Sequence, residues 1–482
     1  MTVGHRHHGY PLSHVALAIL MLLAMAAVAE AADATYHVDG THGDDSNTGT
    51  SVSAPWKTIQ KAFDSATPGS TVYILAGTYR EGLTLNVSGS AAQGFITFRN
   101  HGPDRVVLDA TGITASPLIN ITDKRYVRIE GLEIVNYVHD HGIAISISGG
   151  SDHVEIRQNK LSHIVIATDT RREMVGSGTF VWNVPIRVTG TDPVHPADRI
   201  VIDGNDLSDC KPGWGEALTV AANSTNWEIT DNRLVDCGGI DAQGHFGESP
   251  DPATDQARNG VIRGNVVSDS SNTEVAIYVD GAKDVVVEHN IVMRNPWGIV
   301  VSCEREGKTA SGIVVRNNLL YDNGGGIAVG GWVDAYGRVT DSQVVNNTLA
   351  GNRAGLVLTL ASNIRFTNNI VSLSELAVYN VAGNDDSHYF NHNLYDQFLA
   401  IWKDQWCSFD CYRERSSQEA QSVLADPLFM NRDAKDFRVR GDSPAINAGD
   451  PTLAPGAAET DVDGKPRLVG DRVDIGAAEH QE

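Results

Sequence analysis

Ile202-Asp-Gly-Asn205, Ile229-Thr-Asp-Asn232 and Ile262-Arg-Gly-Asn265 repeat one pattern, in which an apolar residue is followed three positions later by Asn. The same pattern recurs at five further asparagines: Asn159, Asn290, Asn318, Asn347 and Asn369. From Asn205 onward the spacings are 27, 33, 25, 28, 29 and 22 residues, and an earlier variant has Leu132 in the Asn place. A period that drifts in this way is typical of a solenoid with loops inserted at fixed corners.

The segments between these asparagines are too short for helices and alternate apolar and polar residues, as strands do. One coil cannot bury its apolar side alone, but coils stacked about 4.8 Å apart bury the inward rows continuously. The Asn suits a tight turn because it tolerates the left-handed region and can bond the Asn of the next coil. The fold class that we predict is therefore all-β, a right-handed parallel β-helix.

Composition and the amino terminus indicate where the protein works. The chain has 482 residues and a formal net charge of −23, which disfavours nucleic acid because its binding depends on Lys and Arg. A polyanionic sugar would be repelled unless a cation or a basic groove intervened. Residues 15–29 form an apolar run, too short for a membrane span, followed by the small-x-small pattern Ala29-Glu-Ala31. We expect a secreted or periplasmic protein that is a monomer and has no membrane partner.

We divide the chain into a signal peptide at 1–31, a cap with the first coils at 32–96, the parallel β-helix at 97–400 and a closing segment at 401–482. The cap is expected to contain a helical stretch near Ile59–Phe63 that covers the open end of the apolar stack. The last segment is rich in Asp, Gly and Pro and is expected to be irregular.

Five cysteines fit an oxidising compartment. Cys210 and Cys237 each follow a repeat Asn by five residues, so stacking makes them vertical neighbours. That spacing suits a disulfide, and stacked free thiols in the core are the alternative. Cys407 and Cys411 are close enough to pair locally, which leaves Cys303.

Both ends of the chain resemble a known group. Pro55-Trp-Lys-Thr-Ile-Gln-Lys-Ala62 and Ile74-Leu-Ala-Gly-Thr-Tyr79 look like the amino-terminal cap of bacterial secreted β-helix proteins of the pectin-lyase-like superfamily. Ala425-Asp-Pro-Leu-Phe429 and Ser443-Pro-Ala-Ile-Asn-Ala-Gly-Asp450 look like their carboxy-terminal segment. The resemblance implies the architecture, whereas that superfamily includes lyases, glycosidases, epimerases and binding proteins.

A second row of strands follows the Asn strands, and its outward positions define a candidate surface. The first apolar residue of each segment, such as Ile240 or Ile277, is expected to point inward and the next outward. The polar and aromatic residues that this alignment brings to one face are Glu216, Asp241, Gln243, His245, Tyr278, Asp280, Glu304 and Trp332. Carboxylates and amides bond sugar hydroxyls, and aromatic rings stack on apolar sugar faces. The sequence therefore predicts a carbohydrate site.

The predicted reaction is glycoside hydrolysis, which needs two carboxyl groups flanking the bond. Asp280 and Glu304 are one coil apart, an arrangement that also resembles β-helical glycosidases such as β-xylosidases. Asp280 is assigned as nucleophile or base and Glu304 as acid, with Asp241 tuning the pair or binding. Glu216, Gln243, His245, Tyr278 and Trp332 would bind the poly- or oligosaccharide.

Two alternatives remain open. In a calcium-assisted polyuronate lyase or epimerase, the carboxylates would hold the cation, and a base would remove the proton beside the uronate. The candidate bases are His245, Lys283, Arg305 and Lys308. The other alternative is a non-catalytic glycan-binding or surface protein, which needs the aromatic residues but no carboxylate pair. The hydrolase requires no cofactor or metal, whereas the lyase would use calcium.

Overall fold

The computed structural model describes Met1 and residues 34–168, 180–270, 275–331, 336–381, 387–456 and 458–481. The predicted signal peptide lies outside these residues except for Met1, and Trp332 lies outside them too. No helix in the described part of the chain is long and apolar enough to cross a membrane.

The chain winds through three long sheets in turn, so that each coil adds one strand to each sheet. The first sheet has 15 strands and the second and third have 13 each. Neighbouring strands of the stack pair in parallel, except that Gln405–Cys407 pairs antiparallel with Ala400–Trp402 at the end of the third sheet. The prediction of a right-handed parallel β-helix is confirmed, since short β-rich segments bury their apolar faces only by stacking.

The first sheet consists of the strands Thr35–Val38, Thr71–Ile74, Ile96–Asn100, Arg125–Glu130, Asp152–Arg157, Ala197–Asp203, Ser224–Thr225, Glu228–Thr230, Arg258–Arg263, Lys283–Glu288, Thr309–Ser311, Val314–Arg316, Arg338–Val345, Ala361–Thr367 and Tyr389–Asn391. The second sheet consists of Gly77–Tyr79, Val106–Asp109, Glu133–Val138, Lys160–Val165, Asp206–Ser208, Arg233–Val235, Val266–Ser268, Ile291–Met293, Leu319–Tyr321, Thr348–Ala350, Ile370–Ser372, Leu394–Tyr395 and Val423–Leu424. The third sheet consists of Leu83–Thr84, Ile119–Thr122, Gly142–Ser148, Asn183–Gly190, Leu218–Ala222, Ile240–Gln243, Ile277–Asp280, Trp297–Ser302, Gly325–Val329, Ala354–Leu358, Leu376–Asn380, Ala400–Trp402 and Gln405–Cys407. A separate antiparallel pair, Phe429–Asn431 and Asp436–Val439, follows.

The repeated Asn forms a continuous ladder at the corner between the first and second sheets. The main-chain N–H of each ladder Asn donates to the side-chain oxygen of the next at 2.9–3.1 Å. The ladder consists of Asn159, Asn205, Asn232, Asn265, Asn290, Asn318, Asn347, Asn369 and Asn393, all buried. It stabilises the corner because each buried amide finds partners above and below.

The ladder differs from the sequence prediction in one respect. The left-handed conformation belongs to the residue before each Asn, as at Asp231 (φ 54°) and His289 (φ 57°), and not to the Asn itself. The ladder Asn thus serves through its amide and not through its backbone tolerance. A second, shorter ladder of Asn295, Asn323 and Asn352 runs along the corner between the second and third sheets. The sequence analysis missed it.

The two ends of the stack are covered by helices. The helix Ile59–Ser65 buries Ile59, Ala62 and Phe63 in the core, as expected of the cap. At the other end the helix Phe409–Ser416 packs Phe409 and Tyr412 onto the same core. Thr35–Val38 already pairs within the first sheet, so the predicted cap region and the β-helix form one continuous stack.

The closing segment predicted at 401–482 covers the end of the stack only through the helix Phe409–Ser416. Its residues Phe429, Phe437 and Ile475 pack against Ile370 and Leu394 on the outer side of the second sheet. Ala477 N–H also donates to Thr348 Oγ1 at 2.9 Å. The segment therefore runs back along the β-helix, because its few apolar side chains cover an apolar strip there.

Two cysteine predictions had different outcomes. Cys407 and Cys411 form a disulfide. Cys210 and Cys237 are buried free thiols, so the predicted disulfide between them is corrected to the stacked-thiol alternative. The hydrogen bond with Cys237, followed by burial, holds the pKa of the Cys210 thiol well above its usual range, which suppresses the reactive thiolate.

The thiol state leads to a labelling prediction. In native protein we expect little reaction of Cys210, Cys237 and Cys303 with maleimide, because all three are buried. Denaturation without a reductant should expose three thiols to the reagent, as counted by intact mass. Labelling at Cys303 alone would show that the other two are joined.

Candidate functional site

A cleft of about 550 Å³ opens on the outward side of the third sheet. This volume lies within the roughly 300–1,000 Å³ typical of small-ligand sites. Its floor consists of strand residues from successive coils, and its walls come from the loops before and after those strands and from Trp297 at the start of one of them. The residues that line it are Gly213, Trp214, Glu216, Asp241, Gln243, Phe246, Val275, Tyr278, Asp280, Trp297, Val300, Glu304 and Tyr336.

Strand register places the floor residues in two outward rows. Asp241 pairs with Tyr278 and Tyr278 with Val300 in the first row. Gln243 pairs with Asp280 in the second row, two residues further along each strand. Because side chains alternate across a strand, both rows project from the same face. The alignment made from sequence thus describes the floor correctly.

Asp280 and Glu304 meet between adjacent coils. The main-chain N–H of Glu304 donates to Asp280 Oδ1 at 2.8 Å, and the Tyr278 hydroxyl donates to Glu304 Oε1 at 2.9 Å. Burial and the neighbouring carboxylates raise the pKa of Tyr278, which keeps its proton on the hydroxyl. These contacts hold both carboxyl groups against the floor, and Arg305 acts on Asp280 only electrostatically.

Asp280 is strongly perturbed by this setting. Only 2% of the residue is exposed. Burial, followed by repulsion from Glu304, holds the pKa of Asp280 well above its usual range, although the Glu304 N–H opposes the shift. Asp280 therefore keeps its proton at pH values where an exposed carboxyl would have lost it.

Asp241 lies one coil away and is even more enclosed, with 1% exposure. Burial, followed by repulsion from Glu216 and Asp280, holds the pKa of Asp241 well above its usual range. Its Oδ1 is buried and has no hydrogen-bond partner among the residues that the structure describes. Sequence reasoning placed Asp241 on an exposed patch, whereas the loops around the cleft bury it.

The other predicted residues divide into three groups. Glu216 and Gln243 line the cleft, as Tyr278 does. His245 does not line it. The pKa of His245 is lowered first by burial, and its other influences come from Thr309, Lys308 and Asp255. The structure therefore does not bring His245 to the carboxylates. Trp332 lies outside the described residues.

Sequence analysis missed much of the wall, which contains Trp214, Phe246, Trp297 and Tyr336. Val300 lies in the row that contains Asp241 and Tyr278, but its apolar side chain does not by itself indicate a binding site. Trp214, Phe246 and Tyr336 lie in loops, which have no strand register to place them. The aromatic walls make the cleft suited to the apolar faces of sugar rings.

The charge of the cleft is one-sided. Its lining includes the four carboxyl groups of Glu216, Asp241, Asp280 and Glu304, and among the described lining residues there is no Lys, Arg or His. Arg187 and Arg305 lie close to the lining residues, and Arg187 occupies the same outward row of the third sheet as Asp241, with Thr219 between them. Arg187 Nη2 lies 2.5 Å from Glu248 Oε1 and 3.3 Å from Gln243 Oε1. The Arg305 guanidinium lies 4.1 Å from the centre of the Phe246 ring.

The carboxylates do not fit a calcium site. Across the described ranges, no three His, Cys, Asp or Glu side chains are grouped so as to hold a metal ion. Asp280 Oδ1 accepts an N–H and Glu304 Oε1 accepts an O–H, whereas Ca²⁺ requires several oxygens directed at one point. The calcium proposed for the lyase alternative therefore has no ligand set here.

The burial of Asp241 leads to a stability prediction. The pKa of Asp241 is higher in the folded protein than its unfolded value near 3.8. At pH values between the two, Asp241 is protonated in the native state and ionised in the unfolded state. Stability then falls as pH rises through that window. Asp241→Asn removes the cost of burying a negative charge and should raise the free energy of unfolding by about 1 kcal/mol at pH 8. At pH 4, where Asp241 is protonated in the folded protein, the gain should be small.

Thermal unfolding at the two pH values measures this effect. Asp433→Asn provides a control, because Asp433 is an exposed aspartate of the carboxy-terminal segment. A stability gain for Asp241→Asn that is equal at both pH values, or a loss at pH 8, would contradict the assignment of a raised pKa.

Comparisons with known proteins agree with this architecture. Two family models match the chain, the Pel9A-like right-handed β-helix region at residues 36–182 and the right-handed β-helix region at residues 194–394. The uncharacterized protein YwoF of Bacillus subtilis (strain 168) is 30% identical over 442 residues, which are 84% of this chain and 90% of YwoF.

More limited similarities point to carbohydrate-active enzymes. Pectate lyase PEL9 of Emericella nidulans is 29% identical over 109 residues, or 20% of this chain and 26% of that protein. The lacto-N-biosidase of Bifidobacterium longum subsp. longum is 29% identical over 130 residues, or 21% of this chain and 8% of that protein. The structure of XylC with xylose superposes with a TM-score of 0.53 at 12% identity, covering 82% of this chain and 86% of that one. That last likeness shows the fold alone.

Proposed function

The chain belongs to the right-handed parallel β-helix family with a Pel9A-like region, and we propose that it is a glycoside hydrolase. Its relatives include carbohydrate-active enzymes. The observation that carries the proposal is the contact between Glu304 and Asp280 in an aromatic-walled cleft. Two carboxyl groups on adjacent coils, one of which retains its proton, supply both the acid and the base that glycoside cleavage requires.

We assign the two roles from position within the cleft. Asp280 lies on a central strand of the third sheet and is held by the Glu304 N–H, so we assign its carboxyl group as the fixed nucleophile or base, a role that requires its proton to pass to Glu304. Glu304 follows the strand Trp297–Ser302 and is only half-buried, so its side chain reaches the leaving oxygen as the acid. Tyr278 orients Glu304 through its hydroxyl.

The lyase alternative finds less support in the cleft. Removing a proton beside a uronate needs a base such as Lys, Arg or His, and no described lining residue is of these types. Lys283 and Lys308 are exposed, as is Arg305, and none of the three lines the cleft. A binding module would not need the buried carboxylate pair, whose burial costs stability.

We also propose that the protein is secreted or periplasmic, on the basis of the apolar run and cleavage pattern near its amino terminus. Amino-terminal sequencing of protein isolated from the culture or periplasm tests this point. A mature chain beginning near residue 32 would support it, and retention of Met1 in cytosolic protein would contradict it.

A glycan panel, incubated with and without EDTA, tests the reaction class. We expect new reducing ends, no ultraviolet absorbance from unsaturated uronates, and no effect of EDTA. Absorbance that EDTA abolishes would overturn the hydrolase in favour of a calcium-dependent lyase. Retention of glycans without any product would overturn it in favour of a binding module.

A further inference from the structure

The charge of the cleft restricts the sugar that it can hold. Resting on the proposed function, we propose that the cleft accepts an uncharged sugar unit and rejects uronates. This substrate class differs from that of pectate lyase PEL9, which matches a fifth of this chain. The proposal follows from the acidic side chains that line the cleft and from the absence of Lys, Arg and His among its described lining residues.

The acidic lining of the cleft would repel a uronate. A uronate would bring a negative charge into a cleft lined by the carboxyl groups of Glu216, Asp241, Asp280 and Glu304, and so would add to a repulsion that already makes Asp241 and Asp280 retain protons. Charges interact strongly where protein excludes water, and Asp241 and Asp280 are almost completely buried. The carboxylates already repel one another enough to perturb Asp241 and Asp280. A further anion would have to be neutralised by protonation or carry its own cation.

The nearby cations do not offset this repulsion. Arg187 lies in the same outward row as Asp241, but it is paired with Glu248 at 2.5 Å, contacts Gln243 and does not line the cleft. Arg305 does act electrostatically on Asp280. However, its side chain is exposed to solvent and stacks on Phe246, so water and salt screen it from a bound ligand.

The floor and walls of the cleft are complementary to a neutral sugar. The hydroxyls of a neutral sugar donate hydrogen bonds, and the floor of the cleft is rich in carboxylate and amide acceptors. The walls add an apolar surface, in which Val300 packs with Val275, Tyr278 and Trp297. A neutral ring matches both surfaces, with hydroxyls toward the floor and its C–H face toward the aromatic residues.

Matched ligands test the proposal by changing only the charge. The first pair is polygalacturonic acid and its carboxyl-reduced form, and the others are glucosides with glucuronides and xylan with glucuronic-acid-substituted xylan. Binding is measured by affinity electrophoresis and a glycan array with the Glu304→Gln variant, and hydrolysis with the wild-type chain. We expect the neutral member of a pair to bind at least about tenfold tighter than its uronate partner.

Two matched variants test the cause. Glu216→Gln removes one carboxylate from the lining and should reduce the discrimination against uronates several-fold. Glu306→Gln removes an exposed carboxylate that does not line the cleft and should leave the discrimination within about twofold. Circular dichroism and melting temperature confirm that both variants are folded.

The outcomes separate this inference from the proposed function. Hydrolysis of uronate glycans, or preferential binding to them, with no unsaturated product would overturn the substrate class and leave the hydrolase intact. Unsaturated uronate products would overturn both. Failure to bind any neutral glycan on the array would also overturn the substrate class.

Discussion

Replacing Glu304 by Gln is expected to lower kcat about 10²–10⁴-fold on substrates with poor leaving groups, because the variant lacks the acid that protonates the glycosidic oxygen. Aryl glycosides with acidic phenol leaving groups need no such protonation and should lose much less. Asp280→Asn is expected to lower kcat to a similar extent on both kinds of substrate, since the nucleophile or base is needed whatever the leaving group is.

Glu306→Gln is the matched control, because Glu306 lies in the same loop as Glu304 but is exposed and outside the cleft lining. Its kcat should stay close to that of the wild-type chain. Full activity in both Glu304→Gln and Asp280→Asn would refute the site. An equal loss on both kinds of substrate for Glu304→Gln would remove its assignment as the acid.

Replacing Asn290 by Ala should destabilise the protein by about 3 kcal/mol, the largest effect that we expect outside the core. Asn290 Oδ1 accepts from the N–H and the side-chain amide of Asn265. Its own amide donates to Ile262 O and Asn318 Oδ1. Removing this side chain leaves several buried polar groups without partners, each costing about 1–3 kcal/mol before relaxation or a trapped water reduces the total.

Gln343→Ala controls for the loss of an amide, because Gln343 is exposed on the first sheet. We expect a change of no more than about 0.5 kcal/mol there. Thermal and urea unfolding measure both variants. A ladder variant no less stable than the exposed one would show that the Asn column does not stabilise the corner.

Much of the fold was predictable because it depends on local periodicity. The period-two alternation within strands and the recurring Asn determine which residues of a coil point inward and which coils are neighbours. The register of Asp241 with Tyr278, and of Gln243 with Asp280, follows directly from that periodicity. The ladder also followed, although its backbone conformation belongs to the preceding residue.

The thiols and the carboxy-terminal segment show where such reasoning failed. Stacking places Cys210 beside Cys237, but proximity alone does not decide whether a bond forms, and the pair is reduced in the structure. The composition of the last segment indicated an irregular structure. It did not indicate that Phe429 and Phe437 would cover the second sheet instead of the end of the stack.

Periodicity was enough to establish the β-helix, the stacking order of its coils and the outward rows that contain Asp241, Tyr278 and Asp280. The packing of the whole chain was needed to show that these outward positions lie in a cleft, that Asp241 and Asp280 are buried there, and that His245 does not line it. This difference arises because strands repeat along the chain and loops do not. Trp214, Phe246 and Tyr336 come from loops of different coils and line one cleft, and burial there, together with the neighbouring carboxylates, raises the pKa values of Asp241 and Asp280.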